Sequence, residues 1–177
     1  MTALVAPDTD RWESWAAMIE DFGGTEEMHG SGYWHLSGDP VPTRAGCSAF
    51  VTMTELTSPA DLDGTRVPST YFWITGGDGG PDDEVIGFLH LRHNLNDFLL
   101  EQGGHIGYSV KPSARRRGHA SAALRLGLAA AASLGIERVL VTCYDDNEPS
   151  RRTIEQGGGV LEDVRDGVRR YWVTTPR

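Results

Sequence analysis

Near the start of the chain, apolar residues recur every three to four positions. Trp12, Trp15, Ala16, Ile19 and Phe22 fall on one face of a helix, and Asp10 stands where a cap belongs. Residues 23–41 mix Gly, Ser, His and aromatics without a period, which predicts a long loop. A second helix is expected over 43–56, weakened by the β-branched Val51 and Thr52. From residue 69 the character changes. Residues 70–75 are aromatic and β-branched, a strand, and 84–92 return as a second one. Between them, Gly76-Gly77-Asp78-Gly79-Gly80 reads as a hairpin connection and not a phosphate loop, because a strand follows it and not a helix. Residues 105–110 predict a third strand, 112–117 a turn, and 118–134 an Ala/Leu-rich helix closed by Gly135. A strand over 139–144, a short helix over 149–156 and a hairpin turned at Asp166-Gly167 complete the pattern. The sum is an α/β domain with a mostly antiparallel sheet and one strand–loop–helix–strand unit in its second half.

Composition narrows the class. At 177 residues the chain has the size of one domain, and 39% hydrophobic with 23% charged residues is ordinary for a globular protein. The first ten residues lack a basic and then apolar leader, and the Ala-rich helix is too weakly apolar to span a bilayer. A cytoplasmic protein without membrane partners is therefore expected. Cys47 and Cys143 make no disulfide framework and are expected to be buried structural thiols. Sixteen basic against 25 acidic residues leave a net charge of -9, which argues against nucleic acid as the main partner. The six histidines show no ligand spacing with carboxylates or thiols, so no metal site is expected.

The informative segment is Val110-Lys111-Pro112-Ser113-Ala114-Arg115-Arg116-Arg117-Gly118-His119-Ala120, between a strand and a long helix. A helix start offers unpaired N–H groups and the positive end of the dipole, a natural seat for a pyrophosphate. Gly118 and Ala120 let an anion approach the backbone, and three arginines add charge. By physics alone, a solvated basic turn that caps a helix explains the segment equally well.

Here the sequence resembles the GNAT superfamily of N-acetyltransferases. That family's cofactor signature is Gln or Arg, two residues, Gly, one residue, then Gly or Ala. Arg115-Arg116-Arg117-Gly118-His119-Ala120 matches it, preceded by a strand ending Ile106-Gly107-Tyr108-Ser109-Val110. Asn147, Ser150 and Arg151 then open the helix after the next strand, as in the family. Within it, Leu91-Arg92-His93-Asn94-Leu95-Asn96 followed by Gly103-Gly104-His105-Ile106-Gly107-Tyr108 resembles a bacterial subgroup of predicted acetyltransferases. The resemblance covers residues 69–174, the acetyl-CoA-binding core. Residues 1–68 are expected to form the helical acceptor side of the same single domain.

The resemblance implies a GNAT-like mixed sheet with a central V-shaped splay, one arm ending near Val110 and the other near Cys143. Pantetheine is expected at the backbone of Ser109 and Val110, and pyrophosphate at Arg115, Arg116, Arg117, Gly118, His119, Ala120 and Ser121, with Asn147, Ser150 and Arg151 nearby. The implied reaction is direct attack of an amine on acetyl-CoA through a tetrahedral intermediate. A backbone N–H near Val110 would stabilise its oxyanion. His105 is the first candidate for general base and His93 the second. The family's usual acid is a Tyr at the position of Ile154 here; Tyr108 and Tyr144 are candidates to replace it, and departure of the thiol without an acid, at a pKa of about 8.5, is the alternative. Arg92, Asn94 and Asn96 are candidates to orient an acceptor carboxylate or hydroxyl, and Tyr33, Trp34 and His35 to form an acceptor lid. The acceptor is expected to be a small-molecule primary amine. Protein amines, or a non-catalytic acyl-CoA-binding module, are the alternatives, and a homodimer is the commonest closed assembly.

Overall fold

A strand buried at every position needs a cover on both faces. β3 (Val85–Arg92) is such a strand, and it organises a sheet with helices on either side. The computed structural model describes residues 1–31, 41–55 and 66–177. In these, β3 is joined by β1 (Ala3–Val5), β2 (Ser69–Thr75), β4 (Ile106–Val110), β5 (Arg138–Tyr144), β6 (Val160–Arg165) and β7 (Val168–Thr174). The spatial order is β1-β2-β3-β4-β5-β7-β6. Every neighbouring pair is antiparallel except β4 and β5, whose parallel pairing follows from the helical crossover between them.

Alternate side chains of each strand sort to opposite faces. On one face, Tyr71, Trp73 and Phe88 pack with Trp15, Ile19 and Phe22 of α1 (Trp12–Phe22) and Cys47 and Phe50 of α2 (Arg44–Glu55). On the other, Leu89, Leu91, Ile106 and Val141 pack with Ala123, Leu124 and Leu128 of α3 (His119–Ser133) and Ile154 of α4 (Glu148–Gln156). Both cysteines are buried free thiols.

Three local details differ from the sequence expectation. Asp8, not Asp10, provides the first cap: its carboxylate accepts from the Asp10 N–H at 3.0 Å and starts a 3-10 turn over Thr9–Arg11 that leads into α1. β1 was unforeseen because three residues carry no readable period, yet it pairs with β2. A π-helical turn, Leu99–Gly103, occupies the connection before β4.

The joint between β4 and β5 positions everything that follows. β4 pairs with β3 along five residues but with β5 only at Ile106 against Val141. His105 fastens that joint, since its peptide N–H donates to the Leu140 carbonyl at 2.7 Å. Its ring Nδ1 accepts from the Leu140 N–H at 2.9 Å. Gly104 makes this close approach feasible: its φ is +62, and a Cβ there would stand 2.5 Å from the Leu140 carbonyl oxygen. Gly104→Ala is expected to lower the unfolding free energy by about 1–3 kcal/mol, the scale of a strained backbone position. Urea denaturation measures it, and an unchanged midpoint would show that the joint tolerates a side chain.

Candidate functional site

Beyond the Ile106–Val141 pair the two parallel strands part. At the two ends of the β3–β4 ladder, the Arg92 N–H donates to the His105 carbonyl and the Lys111 N–H to the Ile86 carbonyl. Alternation along an antiparallel strand then turns the peptide groups of Gly107 and Ser109 toward β3, and those of Tyr108 and Val110 toward the gap. Val110 thus faces the gap as expected, whereas the second gap-facing peptide is that of Tyr108, not Ser109.

At the open end of the gap, the chain turns into α3 with few of its amides claimed. Gly118 is the N-cap, with φ 84 and no side-chain capping bond. Arg116 also takes a left-handed conformation, φ 59. Left-handed residues around a helix start turn successive N–H groups into one concavity, a nest for an anion. Arg115, Arg116, Arg117 and Ser121 are exposed around it, and a Cβ on Gly118 would meet nothing within 4 Å. The turn is held from α1. Asp21 accepts hydrogen bonds from the hydroxyl and the N–H of Ser113, Lys111 pairs with Glu84, and the Arg115 guanidinium lies 6.0 Å over the Phe22 ring. Arg115 Nε donates to the Val110 carbonyl at 2.9 Å. His119 is buried, its Nδ1 within 2.9 Å of Thr2 Oγ1.

The gap widens into a cleft of about 230 Å³ that connects the two faces of the sheet. Tyr108, Cys143, Asn147 and Ser150 line it toward α3 and α4, and His29, Arg92, Thr142 and Tyr144 toward α1 and α2. On the first side, Asn147 caps α4 by accepting from the Ser150 N–H at 3.1 Å, and the Tyr108 hydroxyl sits 3.3 Å from Ser150 Oγ. Burial pushes the Tyr108 phenol up to about 12, so it stays protonated through neutral pH. On the second side, Gly30 lies backbone to backbone on Gly107, where a Cβ on Gly107 would come within 2.8 Å of the Gly30 carbonyl oxygen. That crossing carries His29 to the cleft, with its ring edge-on to Tyr144 at 6.5 Å.

The remaining candidates distribute unevenly. Arg92 lines the cleft, while Asn94 is exposed outside it and Asn96 caps the π-helical turn through the Leu99 N–H. His93 is engaged with Thr70 Oγ1 at 2.8 Å, and burial lowers its pKa. Arg151 lies near Glu155 on α4, at 3.8 Å. Trp34, Tyr33 and His35 fall outside the described residues. His29, Phe98 and Gln102 were not foreseen, because His29 sits in an aperiodic loop and the other two at a short π-helical turn without a readable period, and only the tertiary fold brings them together. Among the described residues there is no group of His, Cys, Asp and Glu that suits a metal, and no helix is long and apolar enough to cross a membrane.

His105 is held neutral. Burial, and then the nearby Arg92, pull its imidazole down to about 4. Its Nδ1 accepts from a peptide N–H, which assigns the ring proton to Nε2. A histidine that binds its proton less readily when folded stabilises the fold fully above its unfolded pKa of about 6.5. That contribution falls away as pH drops toward about 4. His105→Asn retains an acceptor for the Leu140 N–H without titrating. The melting temperature of the wild type is therefore expected to fall more steeply than that of His105→Asn between pH 6.5 and 4, and parallel curves would contradict the assignment.

A sheet split between parallel strands, with an anion nest at the following helix and a cleft through the gap, is the arrangement that the resemblance to the GNAT superfamily implied. The sequence matches the acetyltransferase (GNAT) family over residues 47–158, and the chain belongs to that family. No curated protein matches it in sequence. Several solved structures share its fold. Mycobacterium smegmatis RimJ in complex with CoA-disulfide is 20% identical with a TM-score of 0.63, aligned over 98% of this chain and 81% of that one. Spermidine N-acetyltransferase from Vibrio cholerae, in complex with CoA and spermine, is 12% identical at a TM-score of 0.63, over 98% and 95%. The microcin C7 self-immunity acetyltransferase MccE, in complex with acetyl-CoA and AMP, is 15% identical at 0.60, over 98% and 92%.

Proposed function

We propose that this chain transfers an acetyl group from acetyl-CoA to the primary amine of a small molecule. The observation that carries this reading is the parting of β4 and β5 after Ile106, in line with the uncapped, left-handed start of α3. The donor's shape and charge fit that path. The Arg115–Ala120 nest would hold the diphosphate, and the peptide groups of Val110 and Tyr108 would hold the pantetheine arm. Acetyl-CoA supplies the thioester carbonyl and a thiol leaving group.

The residues of the chain supply the rest. A peptide N–H of the gap-facing edge of β4 donates to the carbonyl oxygen that gains charge as the amine adds, and the fold fixes that donor beforehand. An alkylammonium of pKa about 10 must lose a proton before it attacks. His29 takes it: an imidazole suits that exchange, and this one stands at the cleft beside Tyr144. His105 does not suit the role, because its Nδ1 lone pair is committed to the Leu140 N–H. Tyr108 donates a hydrogen bond to the departing sulfur. Its hydroxyl, beside Ser150 at the start of α4, provides a phenol where the buried Ile154 offers none. That phenol favours an enzyme over a binding module without turnover.

Acetyl-CoA at a hundred times its dissociation constant adds about 2.7 kcal/mol of stability, so the melting temperature is expected to rise by several degrees. No rise at millimolar acetyl-CoA would refute the donor site. Gly118→Val, strained at φ 84 in the nest, is expected to weaken acetyl-CoA binding roughly tenfold or more by calorimetry. His29→Gln is expected to lower kcat by about 100-fold, the usual scale for a general base. Its acetyl-CoA thermal shift stays intact. Wild-type turnover in that variant removes His29 from the chemistry.

A further inference from the structure

The protein carries nine more acidic than basic residues, yet among the described residues no Asp or Glu lines its cleft. The cleft holds a cation instead. Arg92 is 6% exposed, and among the described residues no carboxylate pairs with it. Two nearby acids are engaged elsewhere, Glu101 with Arg165 and Asp163 with Arg165 and Arg170. Arg92 is fixed in place by its own loop: Nη1 donates to the Gly103 carbonyl at 3.1 Å and to the Gly104 carbonyl at 3.3 Å. That loop is anchored in turn, through the Thr142 hydroxyl to the Gln102 carbonyl at 2.6 Å and Arg170 Nε to the Leu100 carbonyl at 2.8 Å. The guanidinium is thus preorganised, partly desolvated and, among the described residues, without a counter-ion.

Position decides which ligand it serves. Side chains of β3 alternate between faces, and Arg92 shares the parity of Phe88, which packs against α1 and α2. It therefore lies on the His29 side of the cleft, opposite the Tyr108–Ser150 side. β4 also separates it from the anion nest at α3, a span of about 14 Å at the rise of a strand. The diphosphate of the donor and the anion that Arg92 calls for are two different groups.

Resting on the acetyltransferase reading, we propose that the acceptor is an amine that also bears a carboxylate, an amino acid or a close derivative, with its carboxylate on Arg92 and its amine toward His29 and the gap. A guanidinium fork matches a carboxylate with paired charge-assisted hydrogen bonds. Among the described residues that line the cleft a polyamine would find no acidic group, and it would meet Arg92 as a like charge.

The test measures thiol release from acetyl-CoA with the common amino acids, their carboxamides and spermidine as acceptors. At least one amino acid is expected to be acetylated, with kcat/KM roughly 100-fold or more above that of its carboxamide, because the amide leaves Arg92 without its charged partner. Arg92→Met is expected to bring that ratio close to one while the acetyl-CoA thermal shift persists. Arg92→Lys keeps the charge without the fork and lowers the ratio less, which tests the role should the Met variant not fold. Carboxamides or spermidine used as well as amino acids would overturn the inference. So would an unchanged ratio in both variants, or no acetylation of any amino acid by protein that binds acetyl-CoA. Loss of the acetyl-CoA shift in the wild type would instead strike at the acetyltransferase reading itself.

Discussion

The bond pair between His105 and Leu140 is the constraint on which the site depends. Two adjacent parallel strands normally zip along their length, and each further peptide bond pair would close the cleft by one residue. Here the ring of His105 takes the Leu140 N–H and its peptide N–H takes the Leu140 carbonyl, so the joint is strong at one point and ends there. The Tyr108 peptide and the Val110 N–H, which face the gap, are costly in a free sheet edge and useful when a ligand completes the ladder.

Much of the fold was legible because its elements carry strong local signals. The aromatic β2, the Ala/Leu-rich α3 and the Asp-Gly turn between β6 and β7 each announce themselves within a few residues. The Arg-rich turn before α3 was legible too, since Gly118 and its position after a strand are local features. His29 was not. It stands in an aperiodic loop, and it reaches the cleft only because Gly30 and Gly107 let two backbones touch across a long stretch of chain. The parity of β4 was hidden for a similar reason. Which of Tyr108 and Ser109 faces the gap depends on the β3 register, and no single strand encodes that.

His105 illustrates how residue type misleads without geometry. A histidine at the foot of the strand that leads to the cofactor invites a catalytic reading. Its bond with the Leu140 N–H makes it a structural acceptor, kept neutral by burial and by Arg92. Arg92 itself shows the converse. Among three polar candidates at the exit of β3, only Arg92, which is buried and has no carboxylate partner among the described residues, lines the cleft.

The pleat of β4 has a consequence for how such an enzyme diversifies. Successive residues of one short strand look in opposite directions, so in the proposed reaction Tyr108 belongs to the donor half and its neighbours Gly107 and Ser109 to the acceptor half. Substitutions that retune the choice of amine can accumulate on one set of positions while the other set keeps its grip on the coenzyme. A lineage built on this sheet is free to change its clientele without relearning its chemistry.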